Sequence, residues 1–416
     1  MKTKQALGVL LGVVILMAGL SRPTPTQAQG PDTPISTPDL WNDVGDSFTA
    51  PERQRVPVLV SQLKPIDPLQ PTTLTAADIT GPKKWAWILC KFADDASEPK
   101  TVAYFEGLRD TLNTYFKENS YDKANIDNST VSGWYTLPQN RAYYVYDKNG
   151  TGTDVVDFDR AAADCTALAD PTIDFSDYYS VNLMFNGELA SAFGTTFSVN
   201  LTLDGLTKFW PAVFIDNKGS YNTALTAHEM YHGFGLGHSG VRDTDGSFLS
   251  GSSWDPVGVG ACGFGDCDPS HTPAPQKDIL GWIDAAKKST YPGSGSQTVT
   301  LEGLALPQTA NPLMAIIPIG TNHYYTVEAR RSRGNFDDKV PDAVVIHEVK
   351  NGAVGLIPVP GKASPSGSGA AWVVGDKFST VLAGVEMTVK EQTATGFTIE
   401  INELTTYPIY LPLIIR

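Results

Sequence analysis

Between residues 221 and 239, in YNTALTAHEMYHGFGLGHS, the chain places His228, Glu229, His232, Gly235 and His238 in the order His-Glu-x-x-His-x-x-Gly-x-x-His. Three of its six histidines fall in this one motif. On a helix His228 and His232 stand one turn apart and present two imidazoles to one point. Glu229, one position along, brings a carboxylate close to that point without having to bind there. Gly233, Gly235 and Gly237 break the helix, and Gly235 can take the positive φ of a sharp turn that returns His238 as a third ligand. Three neutral imidazoles around a tetrahedral ion leave one position for water, which is the pattern of a catalytic zinc site and not a structural one. A Gly-rich loop after an ordinary helix with merely polar histidines explains neither the spacing nor the glutamate.

The elements that must hold these residues can be read from periodicity. Ala224, Leu225, Ala227 and Met230 suit a buried helix, with Thr223 or Asn222 as its cap. Upstream, residues 85–92 form an apolar, strand-like run closed by Asp94 and Asp95. Val102, Phe105, Leu108, Leu112, Tyr115 and Phe116 recur at helical spacing, which predicts an amphipathic helix over residues 100–118. Residues 143–146 and 181–185 read as strands with a helix over 158–169 between them, and 212–215 reads as a strand leading into the motif helix. This alternation predicts an α/β or α+β half. Residues 275–283 read as a short helix. From Tyr291 to Asn402 the pattern changes to short alternating runs at 298–304, 324–329, 344–349, 371–374 and 397–401, a β-sandwich signature with a Ser/Gly/Pro loop at 361–369.

At 416 residues and 44.7 kDa the chain has room for two domains, and 41% hydrophobic with 18% charged residues is a globular composition. A formal charge of −14 and no basic stripe argue against a nucleic-acid partner, because the field repels phosphates. Lys2 and Lys4 precede an apolar run over 6–20, too short for a comfortable membrane span but suited to a secretory signal over 1–28 cut after Ala28. No other stretch could span a bilayer. Residues 29–80 are broken by prolines and read as a linker or prosegment. They hold no cysteine to block a metal, and Asp39, Asp43 or Asp46 are the acids there that could. Four cysteines in an exported chain suggest two disulfides and allow three pairings. The short Gly-Phe-Gly-Asp loop favours Cys262 with Cys267, which leaves Cys90 with Cys165. Asp147 to Asp154 has a flavour of a calcium loop without its closing glutamate and reads as a turn, as does Asp243 to Gly246. His271, His323 and His347 read as structural. The apolar tail 405–416 fits either a last strand or a surface-sorting signal.

The residues resemble the metzincin clan of zinc proteases, and within it gametolysin-like and immune inhibitor A-like secreted enzymes. The likeness rests on HEMYHGFGLGH, on Trp254-Asp-Pro-Val-Gly258, on Ala274-Pro-Gln-Lys-Asp-Ile-Leu-Gly-Trp282, and on the runs 324–330 and 344–348. It implies a metzincin-like α+β catalytic domain over 81–290, with a mixed sheet and an active-site helix, followed by a β-rich domain over 291–404. It further implies one zinc on His228, His232 and His238, with Glu229 as general base in hydrolysis of protein or peptide substrates outside the cell. Metzincins place a methionine in the turn under the metal. Here no methionine lies between Met230 and Met314, and Val257 takes the matching position. Two other readings share these residues: a non-catalytic secreted surface or adhesion protein on the same scaffold, and a zinc hydrolase of non-peptide bonds. Oligomeric state is not legible.

Overall fold

The computed structural model describes residues 79–404 apart from 149, 151, 191, 218–220, 243–247, 251–253, 259–268, 338–339 and 363–366. The expected signal segment, the linker up to residue 78, the tail 405–416, Asp243 to Gly246 and the Cys262–Cys267 pair lie outside the described residues.

A first sheet has as an interior strand β1 (Trp85–Lys91), whose WAWILC run is buried on both faces. That is what a parallel strand covered on two sides requires. α1 (Val102–Asn119) follows, capped by Thr101, whose side chain accepts from the Tyr104 amide. β2 (Thr130–Thr136) and α2 (Phe158–Ala169) come next, then β3 (Ser180–Phe185), β4 (Phe193–Leu203), β5 (Leu206–Ile215) and α3 (Thr223–Gly233). The strand order is β2-β1-β3-β5-β4. The first four run parallel, and β4 is an antiparallel edge joined to β5 by a tight hairpin.

The period-two alternation of β1 decides which helix lies on which face. Trp85, Trp87 and Leu89 share one core with Phe105 and Leu112 of α1 and Ala227 and Met230 of α3. Ala86, Ile88 and Cys90 share the other with Ala161, Ala162 and Cys165 of α2. Cys90 and Cys165 lie at disulfide distance with Cα atoms 6.1 Å apart, pinning α2 to β1.

The chain after α3 enters a second set of strands. These are β6 (Gly240–Arg242), β7 (Phe248–Ser250) and, after α4 (Ala274–Ile279), β8 (Lys288–Thr290) and β9 (Ser296–Glu302). Then come β10 (Met314–Gly320), β11 (His323–Arg330), β12 (Ala343–Lys350), β13 (Ala353–Leu356), β14 (Lys377–Thr380), β15 (Val385–Gln392) and β16 (Gly396–Glu403). A seven-stranded sheet runs β7-β6-β13-β12-β11-β10-β8, and a four-stranded sheet runs β9-β16-β15-β14. Leu301, Ile317, Val327, Ile346, Met387, Ile399 and Trp372 contribute to one core drawn from both sheets. The seven-stranded sheet takes strands from either side of Tyr291, since Gly240 and Val241 of β6 pair with Gly355 and Leu356 of β13.

The whole is a mixed α and β fold dominated by strands, in several sheets. Two expected strands differ. Residues 143–146 form the end of a four-residue helix, Arg141–Tyr144, and a two-residue strand, because the buried Tyr144 packs against Phe92. Residues 371–374 contribute a single bridge, Val344 to Trp372, before the Val373 amide turns to donate to Asp376 Oδ2 at 2.9 Å.

Candidate metal centre

α3 begins where Asn222 accepts the Leu225 amide on its side-chain oxygen at 2.7 Å. Tyr221 before it is buried in a left-handed conformation at φ 46°, and its hydroxyl donates to the Phe185 carbonyl at the end of β3. The helix therefore starts at a point set by the first sheet. It is buried along most of its length, and β4 passes so closely that a Cβ on Gly194 would come within 2.1 Å of the Glu229 carbonyl oxygen. Only glycine fits there.

At the other end Gly235 takes φ +96°, and the Gly235 and Leu236 amides donate back to the His232 and Tyr231 carbonyls at 2.9 and 3.0 Å. Tyr179 adds its hydroxyl to the Gly233 carbonyl at 2.9 Å. These bonds satisfy the last carbonyls of the helix and reverse the chain. His238 then returns to the helix face, and the Ser239 amide donates to the Val257 carbonyl at 3.1 Å.

The outcome is a convergence of three nitrogens. The Nε2 atoms of His228, His232 and His238 lie 3.1 Å apart for two pairs and 3.3 Å for the third. His228 Nδ1 is 2.7 Å from the Pro256 carbonyl oxygen and His232 Nδ1 is 2.8 Å from that of Leu236. A carbonyl only accepts, so both Nδ1 atoms carry the proton, and in the neutral rings both Nε2 atoms present lone pairs inward. Two lone pairs 3.1 Å apart repel unless a cation lies between them. A tetrahedral ion with nitrogen ligands at about 2.0–2.1 Å holds them about 3.3–3.4 Å apart, close to the separations present. Among the described residues this is the one grouping of three or more His, Cys, Asp or Glu side chains able to hold a metal ion. The site could hold a metal; its geometry alone does not choose which.

Beneath the cluster lies the turn 254–258. Asp255 accepts the Val257 amide at 2.9 Å on Oδ1, its own carbonyl accepts the Gly258 amide at 2.9 Å, and a bridge joins Ser239 to Gly258. Val257 is fully buried in the same core as Met230 and Tyr231. Burial pushes the Asp255 carboxyl above its usual range, partly offset by the hydrogen bond from the Val257 amide. Glu229, 1% exposed, follows His228 on the helix.

The other histidines are elsewhere in the hydrogen-bonding pattern. His271 Nε2 donates to Glu118 at 3.1 Å, and His323 pairs with Glu348 at 2.5 Å. His347 Nδ1 lies 3.9 Å from Glu328. In the 147–154 loop the Gly152 amide donates to Asp147 and Arg141 pairs with Asp154, which makes it a braced turn. Reading the sequence missed the ring-orienting carbonyls of Pro256 and Leu236, because a backbone oxygen leaves no residue-type signal. It also missed β4, although Asp204-Gly205 between two runs is a hairpin signal and both residues take positive φ, 48° and 77°.

No family model matches the chain, and no curated protein does. Among solved structures, the crystal structure of wild-type OgpA from Akkermansia muciniphila is similar at 11% identity and a TM-score of 0.33, spanning 67% of this chain and 92% of that one. Likeness at that level carries no argument about what this chain does.

Proposed function

We propose that the chain is a secreted zinc-dependent endopeptidase of metzincin type, with His228, His232 and His238 as ligands and Glu229 as general base. The observation that carries this reading is the closed triangle of Nε2 atoms with a buried glutamate next to its first member on the same helix. The chemistry a zinc ion would supply there is a water acidified towards neutral pH and a polarised scissile carbonyl. The chain's own residues do the rest. The Pro256 and Leu236 carbonyls keep two imidazoles in the tautomer that binds a cation. Glu229, as a carboxylate in a water-poor setting, accepts the proton of the attacking water and returns it to the leaving amine. The β4 edge, packed against the helix at Gly194, offers backbone groups along which an extended peptide can lie.

Secretion is supported by the apolar run over 6–20 and by the Cys90–Cys165 pair at disulfide distance. Among the described residues no helix is long and apolar enough to cross a membrane.

In a casein assay Glu229→Ala should lose activity by about 10²–10⁴-fold, the range for removal of a general base, while retaining bound zinc. Parent-rate cleavage by that variant would remove Glu229 from the mechanism. Zinc retention with no peptidase activity in the unaltered chain would favour the non-catalytic surface-protein reading, for which the absent turn methionine is the motivating observation.

A further inference from the structure

At 3.6 residues per turn, Glu229 and Tyr231 lie on opposite flanks of the imidazole face of α3. Glu229 has a chemical role; Tyr231 leads away from the site into a buried polar network. Its hydroxyl accepts from Asn119 Nδ2 and donates to the Tyr115 hydroxyl at 2.9 Å, which in turn donates to the Ser270 carbonyl at 2.9 Å. Asn119 is the last residue of α1 and has no exposed surface. Its side-chain oxygen accepts from Lys277 Nζ at 2.6 Å and from the Thr272 amide at 3.1 Å, and its backbone carbonyl also accepts from Lys277.

The network continues to the second sheet. Lys277 Nζ lies 3.3 Å from His271 Nδ1 and 4.5 Å from the centre of the Tyr121 ring. His271 Nε2 donates to Glu118, which also accepts from the backbone and side chain of Asn335. The His271 carbonyl accepts from Arg330 on β11 at 3.0 Å, and its amide donates to Asp337 at 3.0 Å. Arg330 is paired with both Glu328 and Asp337. Asn119, His271, Lys277, Glu328, Arg330 and Asp337 are each at most 1% exposed.

Burying an ammonium carries a desolvation cost on the order of what its bonds return, so a leucine or methionine would fill the same space at least as well. What the polar network adds is direction: each bond fixes an angle, where an apolar contact fixes only a distance. We infer that Asn119 is a positioning residue for the metal centre. Through Tyr231 it sets the rotation of α3 about its axis, and Lys277 and His271 tie that setting to Arg330 on the seven-stranded sheet. The sheet thereby helps to hold His228 and His232 in register with His238. This rests on the reading of the three imidazoles as metal ligands.

The test is zinc affinity of the whole chain, measured by competition with a chromophoric chelator, with the absorption of the cobalt-substituted protein as a second readout. Tyr231→Phe removes only the hydroxyl and preserves the aromatic core, so it should fold even if Asn119→Ala does not. Tyr231→Phe is expected to weaken zinc by up to about 10-fold, at or below the lower end of what loss of a group bonded directly to a metal ligand costs, and to alter the cobalt bands. Val385→Ala, in the core between the two C-terminal sheets, should lower thermal stability and leave zinc affinity unchanged. Parent affinity and spectrum in Tyr231→Phe overturn the inference, and so does an equal loss of zinc in Val385→Ala. If the unaltered chain binds no zinc, the metal reading itself fails and the inference falls with it, a different outcome from either.

Discussion

The two flanks of α3 are built in opposite ways. The metal side takes its three nitrogens from residues 228–238, so its members are neighbours in sequence and need one helix and one turn to meet. The Tyr231 side gathers Asn119, 112 positions before it, and through it Lys277, 158 positions after Asn119. The first is a local device whose chemistry follows from spacing. The second is a product of packing, and its members are bland singly: an asparagine at a helix end, a lysine in a short helix. The histidines that could hold a metal are concentrated on one side and the long-range hydrogen bonds on the other.

Variants on the two sides should therefore fail differently. His238→Ala should lose tight metal binding and nearly all activity while the metal-free melt changes little, since His238 is partly exposed and outside the cores. A large loss of metal-free stability in that variant would mean the two sides are not separable. Arg330→Ala should act first on stability, costing about 3–5 kcal/mol because Glu328 and Asp337 lose a buried counter-charge, and should weaken zinc far less than His238→Ala does. Urea unfolding of the metal-free chain measures it, and a cost below about 1 kcal/mol would place that pair among weakly contributing ones.

Acid should act on the restraint side too. Burial, then the charge of Lys277, hold His271 down from 6.5 to about 4, against the opposing pull of Glu118 and Asp337. Burial and then Arg330 hold His347 at about 3. Both are neutral in the folded chain, whereas the unfolded chain takes up their protons near the ordinary value of 6.5. The unfolded state then binds more protons, so stability falls as pH drops from 6.5 towards 4 and continues to fall towards 3 through His347. Thermal melts across that range should show the decline, and His271→Gln should flatten its upper part. An unchanged profile in His271→Gln would leave the decline to other groups. The smallest effect belongs to the start of α3: Asn222→Ala should cost about 1 kcal/mol, the value of one lost cap, with activity retained once the chain is folded.

Periodicity carried most of the first sheet. The run at 85–92, the helical spacing from Val102 to Phe116 and the helix at 158–169 appear as β1, α1 and α2, because each buries a face whose period is set by its own backbone. Gly235 takes the positive φ that its place in the motif called for. The short aromatic run at 143–146 reads as a strand yet is half helix, because with so few residues helical and extended periods cannot be told apart.

By itself the sequence determined the three histidines that could hold a metal and the helix that carries His228 and His232, since residues four apart on a helix share a face whatever surrounds them. It determined too that Gly235 would turn the chain back towards that face. Only the tertiary structure decided that the Pro256 and Leu236 carbonyls orient the rings, that β4 runs against Glu229, and that Asn119 meets Tyr231. Those contacts join residues far apart in the chain, and a contact of that kind exists only once both cores have closed around it.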